Sequence, residues 1–290
     1  MMVPAVRTTP QFRAARRFTK TPKGILLFIL GAIAVVALLD SRTETALASL
    51  AVATATAAAV DMAIAWSTRR AVIFPSGGIL TGLIVGLVLS PYEPLIVPAA
   101  TATLAIASKH LFRSRQANVF NPAAFGLVAS AILFSSGHSW WGAMPDLGFP
   151  GVVILVSTGW LIADRIHKLP LVLTFLGAHF LLFTVSAIAG NASGVAEVFR
   201  SPDLQAVLFF ALFMLDDPPT CPTKYRDQAV FGTGTAAAGF ILFQMWGLLY
   251  FMLAALLVAN AGEALRRRWV LRRKPRTTAA GQAKVGPAKR

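Results

Sequence analysis

The sequence predicts an all-α polytopic integral membrane protein, with about ten transmembrane helices in two inverted five-helix repeats. Three observations predict it. Apolar runs near the twenty residues needed to cross a hydrocarbon core recur along the whole chain, in a composition that is 56% hydrophobic and only 13% charged. Lysine and arginine fall almost entirely on one side of those runs. Two short, proline-broken runs occupy matching places when the chain is cut into two sets of five.

In chain order, a basic tail at 1–23 precedes a first repeat at 24–135, an outside loop at 136–148, a second repeat at 149–265 and a basic tail at 266–290. The candidate spans are 24–40, 46–66, 72–90, 95–113 and 121–135 in the first repeat, and 149–164, 169–190, 203–217, 228–246 and 247–265 in the second. The first run lacks a small-residue cleavage site and reads as a retained helix rather than a signal peptide. The ends, 1–20 and 275–290, are rich in Arg, Lys, Thr, Ala and Pro, a composition that predicts disorder.

With the N-terminus in the cytoplasm, 25 of the 27 Lys and Arg lie inside, and only Arg42 and Arg200 lie outside. The expected location is therefore the cell (inner) membrane, multi-pass, with both termini cytoplasmic. The net charge of +15 reports topology and contact with anionic lipids, not nucleic acid, because the basic residues cluster at predicted membrane ends. RRRWVLRRKPR at 266–276 accordingly reads as a membrane-surface tail. The single cysteine, Cys221, excludes an internal disulfide, and this chain's cysteines alone cannot build an iron–sulfur cluster or a thiolate metal site.

Three spans carry interruptions that a plain anchor does not need. The third opens with Pro75, Gly77 and Gly78 and closes at Pro91. The fifth opens with NVFNPAAFG, where Asn121 is suited to cap a helix that Pro122 begins. The eighth ends in DDPPTCP, which places Asp216 and Asp217 at a helix C-terminus, the unfavourable end of the helix dipole, so they call for compensation from Lys224, Arg226, backbone amides or a ligand. Two readings of the acid pair stay open: an interfacial pair solvated by cytoplasmic water, or the wall of a central site between the repeats.

Four segments resemble a known family, RnfD/NqrB, whose members are membrane components of Rnf electron-transport complexes and of the sodium-pumping NADH:quinone oxidoreductase. The segments are PSGGILTGLIVGLVLSP, KHLFRSRQANVFNPAAFG, MLDDPPTCPTKYRDQAVFGTG and WGLLYFMLAALLVANA, in order over residues 70–265. The resemblance implies two inverted five-helix repeats, distantly like urea transporters. It also implies a redox-driven membrane complex passing electrons through flavins, with possible coupling to sodium or proton movement. The implied partners are other redox membrane subunits carrying flavin or iron–sulfur centres, membrane lipids and a quinone, with no nucleic acid. The chain departs from the family where it usually carries a Ser-Gly-Ala-Thr-type motif whose threonine holds FMN covalently: the loop here is SSGHSWWGAMPDLG, with no threonine. Covalent FMN is therefore expected to be absent. The resemblance leaves a noncovalent flavin (FMN or riboflavin) or quinone site, for which Ser76, Gly77, Gly78, Thr81, Asn121, Pro122, Asp216, Asp217, Thr220 and Lys224 match motif regions. No residue is assigned a catalytic or metal-binding role.

The remaining singular residues read as packing. His179, near the middle of the seventh span, lacks a second mid-membrane histidine for bis-histidine haem and reads as a packed or hydrogen-bonded ring. Asp61 reads as structural, within reach of Arg69 or Arg70. Trp140 and Trp141 fit the aromatic belt of the outer interface. GTGTAAAG at 232–239 fits close helix packing and lacks the Lys-Ser/Thr ending of a phosphate loop. The functional alternative to a redox subunit is a solute or ion transporter, or a channel, that uses the same cavity without redox chemistry.

Overall fold

A computed structural model of the chain describes residues 20–40, 44–69, 74–113, 117–190 and 199–273. The tails expected to be disordered, apart from Lys20, together with Arg42, Arg70 and Ser114, lie outside the described residues, and so does the side chain of Arg69. Among the described residues there are ten α-helices: α1 Pro22–Asp40, α2 Thr45–Arg69, α3 Ser76–Val88, α4 Ile96–Leu111, α5 Pro122–Phe134, α6 Phe149–Arg165, α7 Leu169–Gly190, α8 Asp203–Phe213, α9 Tyr225–Trp246 and α10 Phe251–Arg273. Each falls on one of the ten apolar runs. Four of them, α1, α2, α7 and α9, are long and apolar enough to cross a membrane, and α3, α5 and α8 are shorter apolar helices.

The boundaries differ from the hydropathy runs for local reasons. Helix α8 stops at Phe213, not Asp217, and Met214–Asp217 turn away before Pro218, which disfavours helical geometry in the residue preceding it. Helix α9 begins at Tyr225, because the polar residues of its first turn are helical without being apolar. Helix α10 runs to Arg273, eight residues past the end of the apolar run at 265, since the Arg and Leu that follow are good helix formers. Gly247, at a left-handed φ of 59°, ends α9 and separates it from α10.

Within the first half, α1 packs on α3, α2 on α3 and α4, and α4 on α5. Within the second, α6 packs on α8, α7 on α8 and α9, and α9 on α10. Between the halves, α1 meets α6 and α5 meets α10. Small residues allow these approaches. A Cβ on Gly82 of α3 would stand 2.6 Å from Thr54 Cα in α2, and one on Gly232 of α9 would stand 2.5 Å from the Leu171 carbonyl oxygen in α7. The GTGTAAAG segment thus serves close packing. Helices α3 and α8 are buried on nearly every side, as helices apolar all round must be. His179 of α7 is buried among Phe175, Phe180, Phe183 and Phe251.

The loop after α5 folds inward. Trp140 and Trp141 are only 9% and 7% exposed, so neither belongs to an interfacial belt. The physical reason lies at the end of α3, whose last carbonyls have no helical donor. The Trp141 indole donates to the Gly86 carbonyl at 2.8 Å, and the amides of Ser139 and Trp140 donate to the Val88 carbonyl. Trp140 packs edge-on against Phe209 and Phe210 of α8. Burial pushes the His138 imidazole in the same loop down to about 4, so it is neutral at neutral pH.

Candidate functional site

The turn between α8 and α9 is built from its unsatisfied carbonyls upward. The Asp217 carbonyl accepts from the amides of Thr220 and Cys221, and the Thr220 hydroxyl reaches Asp217 Oδ2 at 3.2 Å. Cationic side chains take the next carbonyls. Lys168 Nζ donates to Pro222, and the Arg267 guanidinium donates to Pro219 at 2.8 Å and to Cys221 at 2.7 Å. Glu263 holds Arg267 at 2.7 Å and also binds Arg266, which pairs with Asp227 at 2.9 Å. The cations bonded to this turn, through its carbonyls, are therefore Lys168 and Arg267 rather than Lys224 and Arg226. Arg266 and Arg267 thereby bind Asp227, Glu263 and the turn itself. Burial pushes the Cys221 thiol up to about 12, leaving it without thiolate character.

Two asparagines tie this turn to α5. The Asn121 side chain caps α5 by accepting from the Ala124 amide at 3.1 Å, and its Nδ2 donates to the Met214 carbonyl at 2.9 Å. Asn260 of α10, fully buried, accepts from the Asn121 amide at 2.9 Å and donates to the Thr220 carbonyl. The start of α5 and the end of α8 are thereby fixed to each other.

Between them lies a cavity of about 440 Å³, within the usual range for a small-ligand site. Its mouth runs from the exposed start of α1, Thr21–Lys23, to Pro218 and Pro219. Its lining carries both signs of charge. Gly77 lacks a Cβ in a place where that atom would stand 3.0 Å from Lys109 Nζ and 3.4 Å from Lys23 Nζ. Asp216 and Asp217 line the same cavity. Asp216 is 4% exposed, and its Oδ2 has no hydrogen-bond partner among the described residues. A buried carboxylate oxygen left in that state seeks a donor.

Asp61 organises the cationic wall from α2. Its Oδ1 binds Lys109 Nζ at 2.8 Å and lies 3.4 Å from His110 Nε2, and its Oδ2 accepts from the Gly78 amide at 3.1 Å. It thus caps α3, whose own N-cap, Pro75, offers no side-chain bond. Among the described residues the partners of this acid are Lys109, His110 and Gly78, while Arg70 and the side chain of Arg69, the expected partners, lie outside them.

Of the residues matched by motif, Gly77, Thr81, Asn121, Pro122, Asp216 and Asp217 line this cavity together. Thr220 stands behind Asp217 as its hydrogen-bond donor. Ser76 is buried at the start of α3, and Gly78 faces α2, where a Cβ would stand 2.7 Å from the Ala57 carbonyl oxygen. Lys224 is exposed at the cap of α9, away from the cavity lining. Lys23, Lys109 and Asn260 line or brace the site without standing out in the sequence. The lysines read there as topology signals, whereas Asn260, a lone buried amide in LLVANAGEAL, carries a signal in its isolation.

No curated relative matches the sequence. Residues 5–149, half of the chain, match the family model described as NQR2, RnfD, RnfE. That stretch contains the PSGG and Asn-Pro segments that form two walls of the cavity and ends with the inward-folded loop. With its apolar helices, the protein is an integral membrane protein, and it belongs to the NQR2, RnfD, RnfE family, the membrane subunits of Rnf- and Nqr-type complexes.

Proposed function

We propose that the chain holds a noncovalent flavin or a quinone in this cavity, as the electron-carrying membrane subunit of a redox-driven complex coupled to sodium or proton translocation. The observation that carries the reading is the meeting of three interrupted segments, PSGG, FNP and DDPP, around one cavity whose lining includes Asp216 and Asp217. The residues fit such a group. Apolar side chains from Leu26, Leu80, Ile84 and Ile162 flank a planar ring, and the Asp216 carboxylate accepts from a ring N–H or a quinol hydroxyl. A flavin or quinone held there supplies the electron transfer that the protein's own side chains do not. The chain's part is to orient that group, to keep bulk water from all but its mouth, and to hold proton-accepting oxygens at Asp216 and Asp217.

The matching helix pairings of the two halves, with α1 on α6 and α5 on α10 between them, support an inverted repeat of five and five. The split of positive charge supports ten crossings with both ends cytoplasmic in the inner membrane, which puts the mouth of the cavity on the cytoplasmic side. A channel needs an open way through, and the buried Trp140, Trp141 and Met144 at the other end of α3 speak against one; an alternating-access transporter is separated from the redox reading by solute flux into liposomes of the isolated chain. The test is Asp217→Asn in the assembled complex. Electron transfer should fall several-fold at unchanged protein level, with a redox subunit still crosslinked to the chain. Full electron transfer in that variant would return the acid pair to the solvated-surface reading.

A further inference from the structure

We infer that the inward loop between α5 and α6 is an acid-released plug: protonation of His138 drives residues 136–144 out from between α3 and α8 and opens that end of the interface between the two halves. The loop is a wedge rather than a cover. Its single turn Trp141–Ala143 packs on α1 and α3 from the first half and on α8 from the second. Trp140 meets Phe209 and Phe210 of α8 edge-on, while the Trp141 indole is bonded to Gly86 of α3. With the outward placement that the split of positive charge supports, the plug lies at the opposite end of α3 from the mouth of the cavity.

Two independent features make the closed loop conditional. The first is backbone strain: Ser135, Trp140 and Met144 have φ of 53°, 52° and 56°, in the left-handed region that residues with a Cβ rarely adopt, and two of the three are bulky. Such strain persists only while the contacts of the closed loop outweigh it. Those contacts are the Trp141 bond to Gly86, the amides of Ser139 and Trp140 on the Val88 carbonyl, and the Gly137 amide, which donates to Glu93 at 2.7 Å.

The second feature is His138. Its ring is bonded to the Leu127 carbonyl of α5, while Nε2 is shielded from solvent and has no partner among the described residues. A neutral ring tolerates this, because Nε2 is then an uncharged acceptor. Protonation turns Nε2 into a charged donor with nothing to accept it, a state relieved when the ring moves out to water. The groups around the ring do not supply an acceptor. Leu89, its bridge partner at the end of α3, is apolar, Glu93 on the turn after α3 is taken by the Gly137 amide, and Tyr250, just before α10, meets the ring edge-on at 6.4 Å. Burial holds the closed ring at about 4 against an ordinary 6.5, so acid that charges a free histidine favours the open loop.

The experiment is hydrogen–deuterium exchange on the full chain in lipid nanodiscs at about pH 7.5 and about pH 5, corrected for the intrinsic pH dependence of exchange. With the ring at about 4 in the closed loop and 6.5 in the open one, the amides of 138–144 should lose protection roughly ten- to thirtyfold at the lower pH, while those of α7 and α9 keep theirs. His138→Gln should abolish this pH dependence, and Glu93→Gln should leave it in place. Unchanged protection in the parent chain would overturn the plug. So would a loss that survives His138→Gln, one that disappears in Glu93→Gln, or one shared by α7 and α9.

Discussion

The two ends of α3 differ in what closes them. At its C-terminal end the orphan carbonyls of Gly86 and Val88 are met by the chain's own inward loop, and Trp140, Trp141 and Met144 fill the space. At its N-terminal end, Gly77 faces a cavity lined by lysines and carboxylates. At the first end the orphan carbonyls are met within the protein and Trp140 packs against α8, although His138 Nε2 in the same loop has no partner among the described residues. At the second, an oxygen of Asp216 is left without a partner among the described residues. A short buried helix is thus a structural strut where its end is satisfied internally, and part of a candidate ligand site where it is not.

The largest expected effect separates packing from cavity. Gly142→Val should destabilise the protein by about 1–3 kcal/mol, because its Cβ would stand 2.4 Å from Leu87 Cβ at the filled end. Thermal melting in detergent reads this, and Gly77→Ala at the other end should leave the melting temperature close to that of the parent. If both variants melt alike, the contrast between the ends fails.

Next in size is Asn260→Ala, which strips buried partners from the Asn121 amide and the Thr220 carbonyl. The two hydrogen bonds lost are worth about 1–3 kcal/mol together, toward the lower end because the contact to Thr220 is 3.4 Å long. Melting temperature and retained ligand should fall together, since this residue ties both cavity walls; loss of one without the other would show that the walls are not coupled through it.

Asp216→Asn works in the opposite sense. The substitution removes a buried carboxylate lacking a full set of partners, so the melting temperature should not fall, while ligand content should drop several-fold. A lower melting temperature with ligand retained would make Asp216 a structural residue.

The smallest effect belongs to His138. Its folded pKa is depressed by burial to about 4, below the unfolded value near 6.5, so the unfolded state binds more protons between those values. Its contribution to stability is full above pH 6.5 and is lost as pH falls toward 4. His138→Gln should therefore flatten the acid slope of the melting temperature by a small margin, and an unchanged slope would mean that the ring is protonated freely in the fold.

Most of the helices are legible in the sequence because a helix that meets lipid must be apolar for many residues. The same criterion misplaces the ends of α9 and α10, where Tyr225–Asp227 and Arg266–Arg273 are helical without being apolar. At the site, glycine, asparagine and the acid pair stand out because a proline-broken apolar run has little other use for them. Lys23 and Lys109 do not, since a lysine at a helix end reads as an orientation signal whether its ammonium faces water or a cavity. The inward fold of Trp140 and Trp141 is hidden for a similar reason: tryptophan suits both an interface and a buried loop, and only the orphan carbonyl of Gly86 decides between them. Arg267 reads with its basic neighbours, and its two bonds to the 219–221 turn depend on how far α10 extends.

The central claim is that the cavity at the N-terminal end of α3 holds a noncovalent redox cofactor or quinone, and the most direct measurement is on the full chain purified without denaturation. Its absorption spectrum should show a flavin band that leaves with the supernatant on acid precipitation, or a quinone band that leaves with an organic extract, and Asp216→Asn should lose that band at normal protein yield. A protein purified in a complete, active complex with no such band, or with flavin fluorescence remaining on the denatured chain, would contradict it.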